Sequence, residues 1–399
     1  MPSFECKFEY SKVRDSADFS KLQQILSQCF MMSPTDSESY ADSVGIEKFR
    51  ILRQDQQIVG GGAILPFGQC WGGEFVPMAG IAAVGIAPEY RGSGAANSIM
   101  ESVVKEIYDE GVPISVLFPA VQGLYRNTGY EQAGNFCNWE IKTASIQVGK
   151  PELPLTSVSC ESVILQQLHH NFARSHNGNL ERNSIIWAEI ARPRDSQQIY
   201  AYLIGASSHP QGYIIFTQHR SETSDDIYVK DWVLLTPKAI QTFWAFLSSH
   251  RSQIDTVRYR SALVDVLTLV LPEQTAKLTS MTKWMLRIVD VVKALERRGY
   301  AQNIQAELHL EIQDDLLPQN NNRFILAVAN GHGQVTIGGK GELKTNIRAF
   351  APLYTGLFTP RQLQLTGKLE ATENAITSAT QIFTGFTGAG ASPWMADFF

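Results

Sequence analysis

The chain is poor in charge. Asp, Glu, Lys and Arg make up 18% of its 399 residues, below the roughly one quarter usual for soluble domains. The balance is acidic, with a formal net charge of -5 at neutral pH, so the basic excess that marks nucleic-acid binding is missing. Cysteine is also sparse. Cys6, Cys29, Cys70, Cys137 and Cys160 are odd in number, widely spaced and without a Cys-x-x-Cys pair, which excludes a disulfide framework and predicts free thiols in a reducing compartment. No apolar run approaches the ~20 residues that span a bilayer. The first residues lack a basic stretch followed by an apolar core, so a soluble, unexported, cytoplasmic protein is expected. The two histidine-bearing spots His169-His170 and His176 have no cysteine or carboxylate at metal-ligand spacing, and no metal is expected. What is present is an ordinary apolar fraction of 44% in a chain long enough for two or three cores.

The strongest local pattern is Ala82-Ala-Val-Gly-Ile-Ala-Pro-Glu-Tyr-Arg-Gly-Ser-Gly-Ala-Ala96. Val84, Gly85 and Ile86 read as a buried strand that Pro88 ends, and beyond Ser93 the apolar positions Ile99, Val103 and Ile107 recur at helical spacing. The Arg-Gly-x-Gly turn therefore falls where a strand hands over to a helix. A helix start carries unpaired N–H groups and the positive end of the dipole, so phosphate docks there when side chains leave room. Gly92 and Gly94 leave that room, and Arg91 adds a charged planar fork. The arrangement suits a pyrophosphate. No Gly-Lys-Ser/Thr follows the glycines and no Gly-x-Gly-x-x-Gly is present, so nucleoside triphosphate and dinucleotide loops are disfavoured.

Ile114-Ser-Val-Leu-Phe118 reads as a second buried strand, followed by a short helix carrying Leu124-Tyr125-Arg-Asn-Thr-Gly129-Tyr130. Here the chain resembles the GCN5-related N-acetyltransferases. Arg91-Gly92-Ser93-Gly94-Ala95-Ala96 matches that family's Arg/Gln-x-x-Gly-x-Gly/Ala acetyl-CoA motif in register, and the tyrosine segment matches its Leu-Tyr-x-x-x-Gly-Tyr/Phe. Within that superfamily the chain resembles the Eis-like (enhanced intracellular survival) enzymes over most of its length. The resemblance implies an α+β fold with a mixed α/β sheet and three domains. These are an acetyl-CoA-binding acetyltransferase domain over 1–146, a second acetyltransferase-like domain lacking a cofactor motif over 147–284, and a sterol-carrier-protein-2-like domain over 285–399. The proline-rich stretch Val148-Gly-Lys-Pro-Glu-Leu-Pro-Leu155 reads as the first linker. Earlier in the chain, Gln57 to Leu65 and Glu74 to Ala79 read as strands flanking a hairpin turn at Gln69-Cys-Trp-Gly-Gly.

By the same resemblance, backbone groups of Val84 and Ile86 pair with the pantetheine of acetyl-CoA. Gly85 permits a bulge that splays its strand from Ile114 to Phe118, or simply allows close packing. Tyr125 is the candidate general acid, because a phenol with a reference pKa near ~10 is protonated at neutral pH and can donate to a departing thiolate. Tyr130 is its rival. By the resemblance the carboxylate at the chain end, here Phe399, reaches the active site as base or as a group that orients the amine; the apolar tail Pro393-Trp-Met-Ala-Asp-Phe-Phe399 that carries it is expected to be buried, there or in a subunit contact. On the acceptor side Phe30 keeps an aromatic, whereas Met32 stands in place of an acidic residue and Ala83 in place of an aromatic. Asp36, Glu38 and Tyr40 offer charge and a wall nearby, or form an ordinary polar loop. The expected activity is acetyl-CoA-dependent acetylation of a small-molecule amine through a tetrahedral intermediate, with aminoglycosides and other polyamines among the candidates. A homo-oligomer, a hexamer by resemblance, goes with it. The alternative is a non-catalytic acyl-CoA or lipid carrier.

Overall fold

The computed structural model describes residues 8–193, 197–222, 224–384 and 392–399. Cys6 lies outside the described residues. Two compact units result. The described residues of Met1–Ala133 and Trp284–Thr387, with Phe399, form one, and those of Gly134–Lys283 and Gly388–Phe398 form the other. Among the described residues no helix is long and apolar enough to cross a membrane, and Cys29, Cys70, Cys137 and Cys160 are free thiols.

The first unit opens with β1 (Glu9–Lys12), α1 (Ser16–Phe30), α2 (Pro34–Val44), β2 (Phe49–Gln54), β3 (Gln57–Trp71) and β4 (Glu74–Ile86). There follow α3 (Ala95–Asp109), β5 (Ile114–Leu117) and α4 (Gln122–Asn127). The strands pair in the order β1-β2-β3-β4-β5. Beyond β5 lies the end of a late strand, whose Met285–Ile288 run antiparallel to Ile114–Leu117. α3 buries Ile99, Met100, Val103, Val104 and Ile107, the stripe that helical spacing predicts. They join Ile64, Ile81, Leu117, Tyr125 and Tyr130 in one core cluster.

The hairpin differs from the reading by sequence. β3 continues to Trp71, and β4 runs unbroken from Glu74 to Ile86 instead of dividing into two strands. Gln69, Cys70 and Trp71 pair with Val76, Phe75 and Glu74, so the turn shrinks to Gly72-Gly73. Cross-strand pairing and the full burial of Cys70 and Trp71 extend the strands past the glycine-rich signal.

A second sheet in the same unit has the order His332–Ile337, Asn322–Ala329, Ala306–Gln313, Leu343–Asn346, Leu369–Ala371. Its strand Ala306–Gln313 buries Leu308, Leu310 and Ile312, the period of two that its sequence alternates. In the second unit Cys137–Lys142 pairs antiparallel with Thr256–Ser261. Asp225–Leu234, His209–Arg220, Ile199–Ala206 and Leu155–Val158 follow in that order.

Candidate active site

β4 and β5 run parallel, but their pairing stops at Ile81 and Leu117. Ala82–Ile86 continue along β3 alone, so a fork opens between the two strands. The cause lies just beyond the last pair. The β3–β4 register shifts between Gly61 and Ala63, which face Gly85 and Ala82, and Ala83 takes a left-handed φ of 51°. This is a bulge at Ala83-Val84, of the kind that bends a strand and ends its pairing. The bulge therefore does not fall on Gly85, as sequence suggested. Gly85 sits in regular register opposite Gly61, and a methyl group there would lie 2.8 Å from Leu26 Cδ2 and 3.2 Å from Cys29 Sγ. Glycine is needed because α1 presses on the sheet.

β4 ends at Ile86, the next N–H, of Ala87, donates to Val59 O at 2.9 Å, and the chain turns through Pro88–Tyr90 into the Arg91-Gly-Ser-Gly segment. Gly92 and Gly94 have φ of 76° and 92°. A methyl group at either would meet nothing within 4 Å. Backbone conformation, with open space above it, thus explains both glycines. Gly94 is the N-cap of α3 and supplies no side-chain acceptor. Ser93 Oγ instead donates to Tyr90 O at 2.6 Å. In the first turn of α3, which runs Ala95, Ala96, Asn97, the Oδ1 of Asn97 is buried without a hydrogen-bond partner among the described residues. The Ala95 N–H donates to Ser93 Oγ at 3.4 Å; a helix start with no side-chain acceptor at its N-cap, unfilled space and an orphaned acceptor fit a phosphate-bearing ligand with an amide donor nearby. Arg91 is exposed, with Nη2 3.8 Å from Cys29 Sγ, while the Cys29 thiol donates to Ile86 O at 3.4 Å. Neither Asn97 nor Cys29 was anticipated, since each acquires its surroundings only through folding.

The tyrosine segment is a helix stop. The Tyr130 N–H donates back to Tyr125 O, and the Gly129 N–H to Arg126 O, both at 3.1 Å, with Gly129 at φ 90°. These paired bonds form a Schellman motif, and its customary apolar contact is made by the Tyr125 and Tyr130 rings, centroids 6.2 Å apart. The motif separates the two tyrosines. Tyr130 is fully buried, its hydroxyl 2.7 Å from Ser115 Oγ, which donates to Ala79 O at 2.9 Å. Tyr125 is 7% exposed, and its hydroxyl bonds to none of the described residues. Burial raises the Tyr125 phenol above its ordinary value, so it stays protonated.

Phe399 lies at the apex of the fork. Its ring centroid is 5.0 Å from that of Phe67 and 5.8 Å from that of Phe118, and a methyl group at Gly80 would come within 2.7 Å of Phe399 Cε2. Gly80 and Ile81 are neighbours on β4, so they face opposite sides of the sheet. Phe399 rests on the Gly80 side. Ile81 packs into the cluster that holds Tyr125. Phe399 and the cluster that holds Tyr125 therefore lie on opposite faces of β4. The preceding tail belongs to the second unit, where Trp394 stacks on Trp232 at 6.0 Å. There Asp397 pairs with Arg182 at 2.9 Å. Burial, opposed by Arg182, raises the Asp397 carboxyl.

Phe30 and Met32 flank Met31 in the turn from α1 to α2; Phe30 is 43% and Met31 92% exposed. Neither Phe30 nor Met32 makes a hydrogen bond or ring contact with the fork. Of the neighbouring polar residues, Asp36 is engaged in capping α2, accepting from Ser33 Oγ at 2.6 Å. Tyr40 packs its ring on Phe49 at 6.3 Å, and burial pushes its phenol up to about 12. Of the histidines singled out in the sequence, His169 is edge-on to Trp187 at 5.8 Å and His176 is stacked on Phe172 at 3.9 Å, while the half-exposed His170 lies 3.9 Å from Glu181.

Family models of the acetyltransferase (GNAT) domain match residues 9–133 and 178–288, and a sterol carrier protein domain model matches 291–395. The crystal structure of a GCN5-related N-acetyltransferase from Anabaena variabilis is 54% identical, with a TM-score of 0.95, over 98% of this chain and all (100%) of that one. N-acetyltransferase Eis of Mycobacterium tuberculosis is 23% identical over 327 residues, 76% of this chain and 77% of its own. The chain belongs to the Eis-like GCN5-related N-acetyltransferases. The crystal structure of Eis1 from Mycobacterium abscessus shares the fold, at 20% identity and a TM-score of 0.82 over 98% of this chain and 100% of its own. The acetyltransferase thus has two GNAT domains and a sterol-carrier domain, as expected, and the non-catalytic carrier reading is set aside. Its family chemistry is acetyl transfer to an amine.

Proposed function

We propose that the enzyme moves the acetyl group of acetyl-CoA directly onto a small-molecule amine, with Tyr125 as general acid and the Phe399 carboxylate as base or orienting group. The observation that carries this reading is the fork, with Phe399 at its apex on one face of β4 and the cluster that holds Tyr125 on the other. An acid belongs on the thiolate side of a thioester and a base on the amine side, and opposite faces satisfy both demands.

In this reading Arg91 and the N–H groups of Gly92 to Ala96 take the pyrophosphate, and the strand edge at Val84 and Ile86 pairs with pantetheine. Gly85 lets α1 close over that edge. A backbone N–H beside the Ala83 bulge faces the developing oxyanion, as preorganised donors do in acyl transfer. The amine nitrogen bonds to the carbonyl carbon, its proton passing to the carboxylate. The C–S bond then breaks as the Tyr125 proton passes to sulfur. With Met32 and Ala83 in place of acidic and aromatic groups, the acceptor pocket is less acidic than one built for aminoglycosides. A broad range of amines follows, with polyamines and aminoglycosides at its edge. The free thiols suit a cytoplasmic setting, and a hexamer belongs to the same proposal.

Replacing the acid tests the assignment. Tyr125→Phe should lower kcat by about 10² to 10⁴, the usual worth of a positioned proton donor, while KM for acetyl-CoA changes little. An unchanged kcat would remove Tyr125 from the mechanism.

A further inference from the structure

The second unit repeats the geometry of the fork. Its strand Asp225–Leu234 runs parallel to Thr256–Ser261, and their pairing stops at Tyr228 and Arg258, as that of β4 and β5 stops at Ile81 and Leu117. Two residues on, Lys230 stands unopposed between Val229 and Asp231, whose partners Phe216 and Ile215 are adjacent. This is a bulge, at the same offset as the one that begins at Ala83. What differs is the helix start that follows. The chain enters the helix Pro237–Ser248 at once, through Thr236 and without a glycine, and the Thr236 hydroxyl accepts from the Ala239 N–H at 3.2 Å. A capped start with proline at its first position leaves a phosphate fewer donors and no glycine-lined approach.

The chain's own tail is seated at this second fork. On one side Asn135, in the strand Glu131–Lys142, exchanges backbone bonds with it, accepting from the Met395 N–H at 3.1 Å and donating to Pro393 O at 3.0 Å. On the other, Trp394 stacks on Trp232, and Arg182 holds two acids together, its Nη2 2.9 Å from Asp397 and its Nη1 2.6 Å from Asp231. Arg260, near the end of the strand Thr256–Ser261, donates from Nη1 to Ala396 O at 3.2 Å. The side chains of Arg182, Asp231 and Asp397 are each 5% exposed or less. A buried ion cluster often adds no more stability than apolar groups of similar volume, whereas its directional, charge-assisted bonds fix the tail in one place.

We infer that the second acetyltransferase-like domain uses its fork to hold the chain's own tail instead of a thioester, with Asp397 and Arg182 as positioning residues for the Phe399 carboxylate. Asp397 lies two residues before the chain end, and two extended residues reach about 7 Å, so a fixed Asp397 leaves the terminal carboxylate little freedom. The inference rests on the reading of that carboxylate as base or orienting group. It goes further by giving the domain without a cofactor motif a task in the reaction.

Steady-state rates with acetyl-CoA and the primary amine that best supports thiol release test this in three full-length proteins. They are Asp397→Asn, a chain with one glycine appended after Phe399, and the two changes combined. Asparagine keeps an acceptor for Arg182 and leaves Arg182 and Asp231 in charge balance, so the variant should fold. Asp397→Asn should lower kcat by roughly tenfold or more, towards the ~10²-fold that a misplacement of ~1 Å costs, with KM for acetyl-CoA little changed. The appended glycine keeps the Phe399 ring, moves the carboxylate one residue on, and should lower kcat at least as much. In the combined protein the losses should not multiply, and kcat should stay within about twofold of the glycine-extended chain, as for changes that act through one group. Arg260→Met removes the bond to Ala396 O, and it decides the same comparison if Asp397→Asn proves unstable. Losses that multiply would mark a purely structural role and overturn the inference. So would an unchanged kcat in Asp397→Asn beside a slowed glycine-extended chain, which leaves the Phe399 assignment standing. A glycine-extended chain as fast as the unaltered one would strike the Phe399 assignment itself, and the inference with it.

Discussion

Gly129 holds the turn after α4 in a conformation that a side chain could not share. Its φ is 90°, and a methyl group there would lie 2.7 Å from the guanidinium carbon of Arg287. Arg287 is fully buried and held 2.7 Å from Asp314, so it cannot retreat. Gly129→Ala should therefore cost about 2 kcal/mol or more, combining left-handed strain with overpacking. Urea unfolding measures this, and a loss within about 0.5 kcal/mol, typical of neutral surface changes, would contradict it. Tyr125 carries a pH prediction. Its phenol is raised by burial, so the acid form persists beyond the ordinary value near ~10. The rate kcat/KM should climb as the amine loses its proton and show no falling limb below pH ~10; a limb well below that value would point to another acid. Tyr125 and Gly129 are visible in sequence because the helix stop is local, its bonds closing within six positions. Cys29, Asn97 and Arg287 are not visible, because their neighbours come from distant parts of the chain.

At the scale of elements, the strand-to-helix turn is the most legible feature. Strand, Pro88, glycines and the α3 stripe all lie in the order that local rules require. Gly94→Ala places a methyl group over the start of α3 and strains a residue at φ 92°. Titration with coenzyme A should show affinity reduced by roughly tenfold, about the worth of a hydrogen bond to a charged group. Unchanged affinity would mean that the phosphates bind elsewhere. The fork was less legible. A glycine drew attention to Gly85, yet the bulge falls at Ala83 with φ 51°, a conformation rare for alanine that nothing in composition signals. Nor could apolar alternation reveal that β4 is continuous, since Gly80 and Ala82 interrupt the residues of high strand preference. Pairing with β3 and the seat of Phe399 against Gly80 supply what local preference lacks.

At the scale of the whole molecule, the order of domains was readable through motifs and the topology was not. The domain boundary expected at 284/285 falls inside the strand Lys277–Ile288, whose Met285–Ile288 pair with β5, far from it in sequence. Such a return leaves no periodic trace. The burial of the tail was readable, because an apolar end is costly in water. The side of the fork it reaches was not. The central claim, acetyl transfer from acetyl-CoA to an amine, is tested most directly by free-thiol release from acetyl-CoA by the purified chain across a panel of primary amines, polyamines and aminoglycosides. Amine-dependent release with matching formation of N-acetyl product is predicted, strongest with amines of modest charge. Release that no amine accelerates over the background of hydrolysis would contradict it.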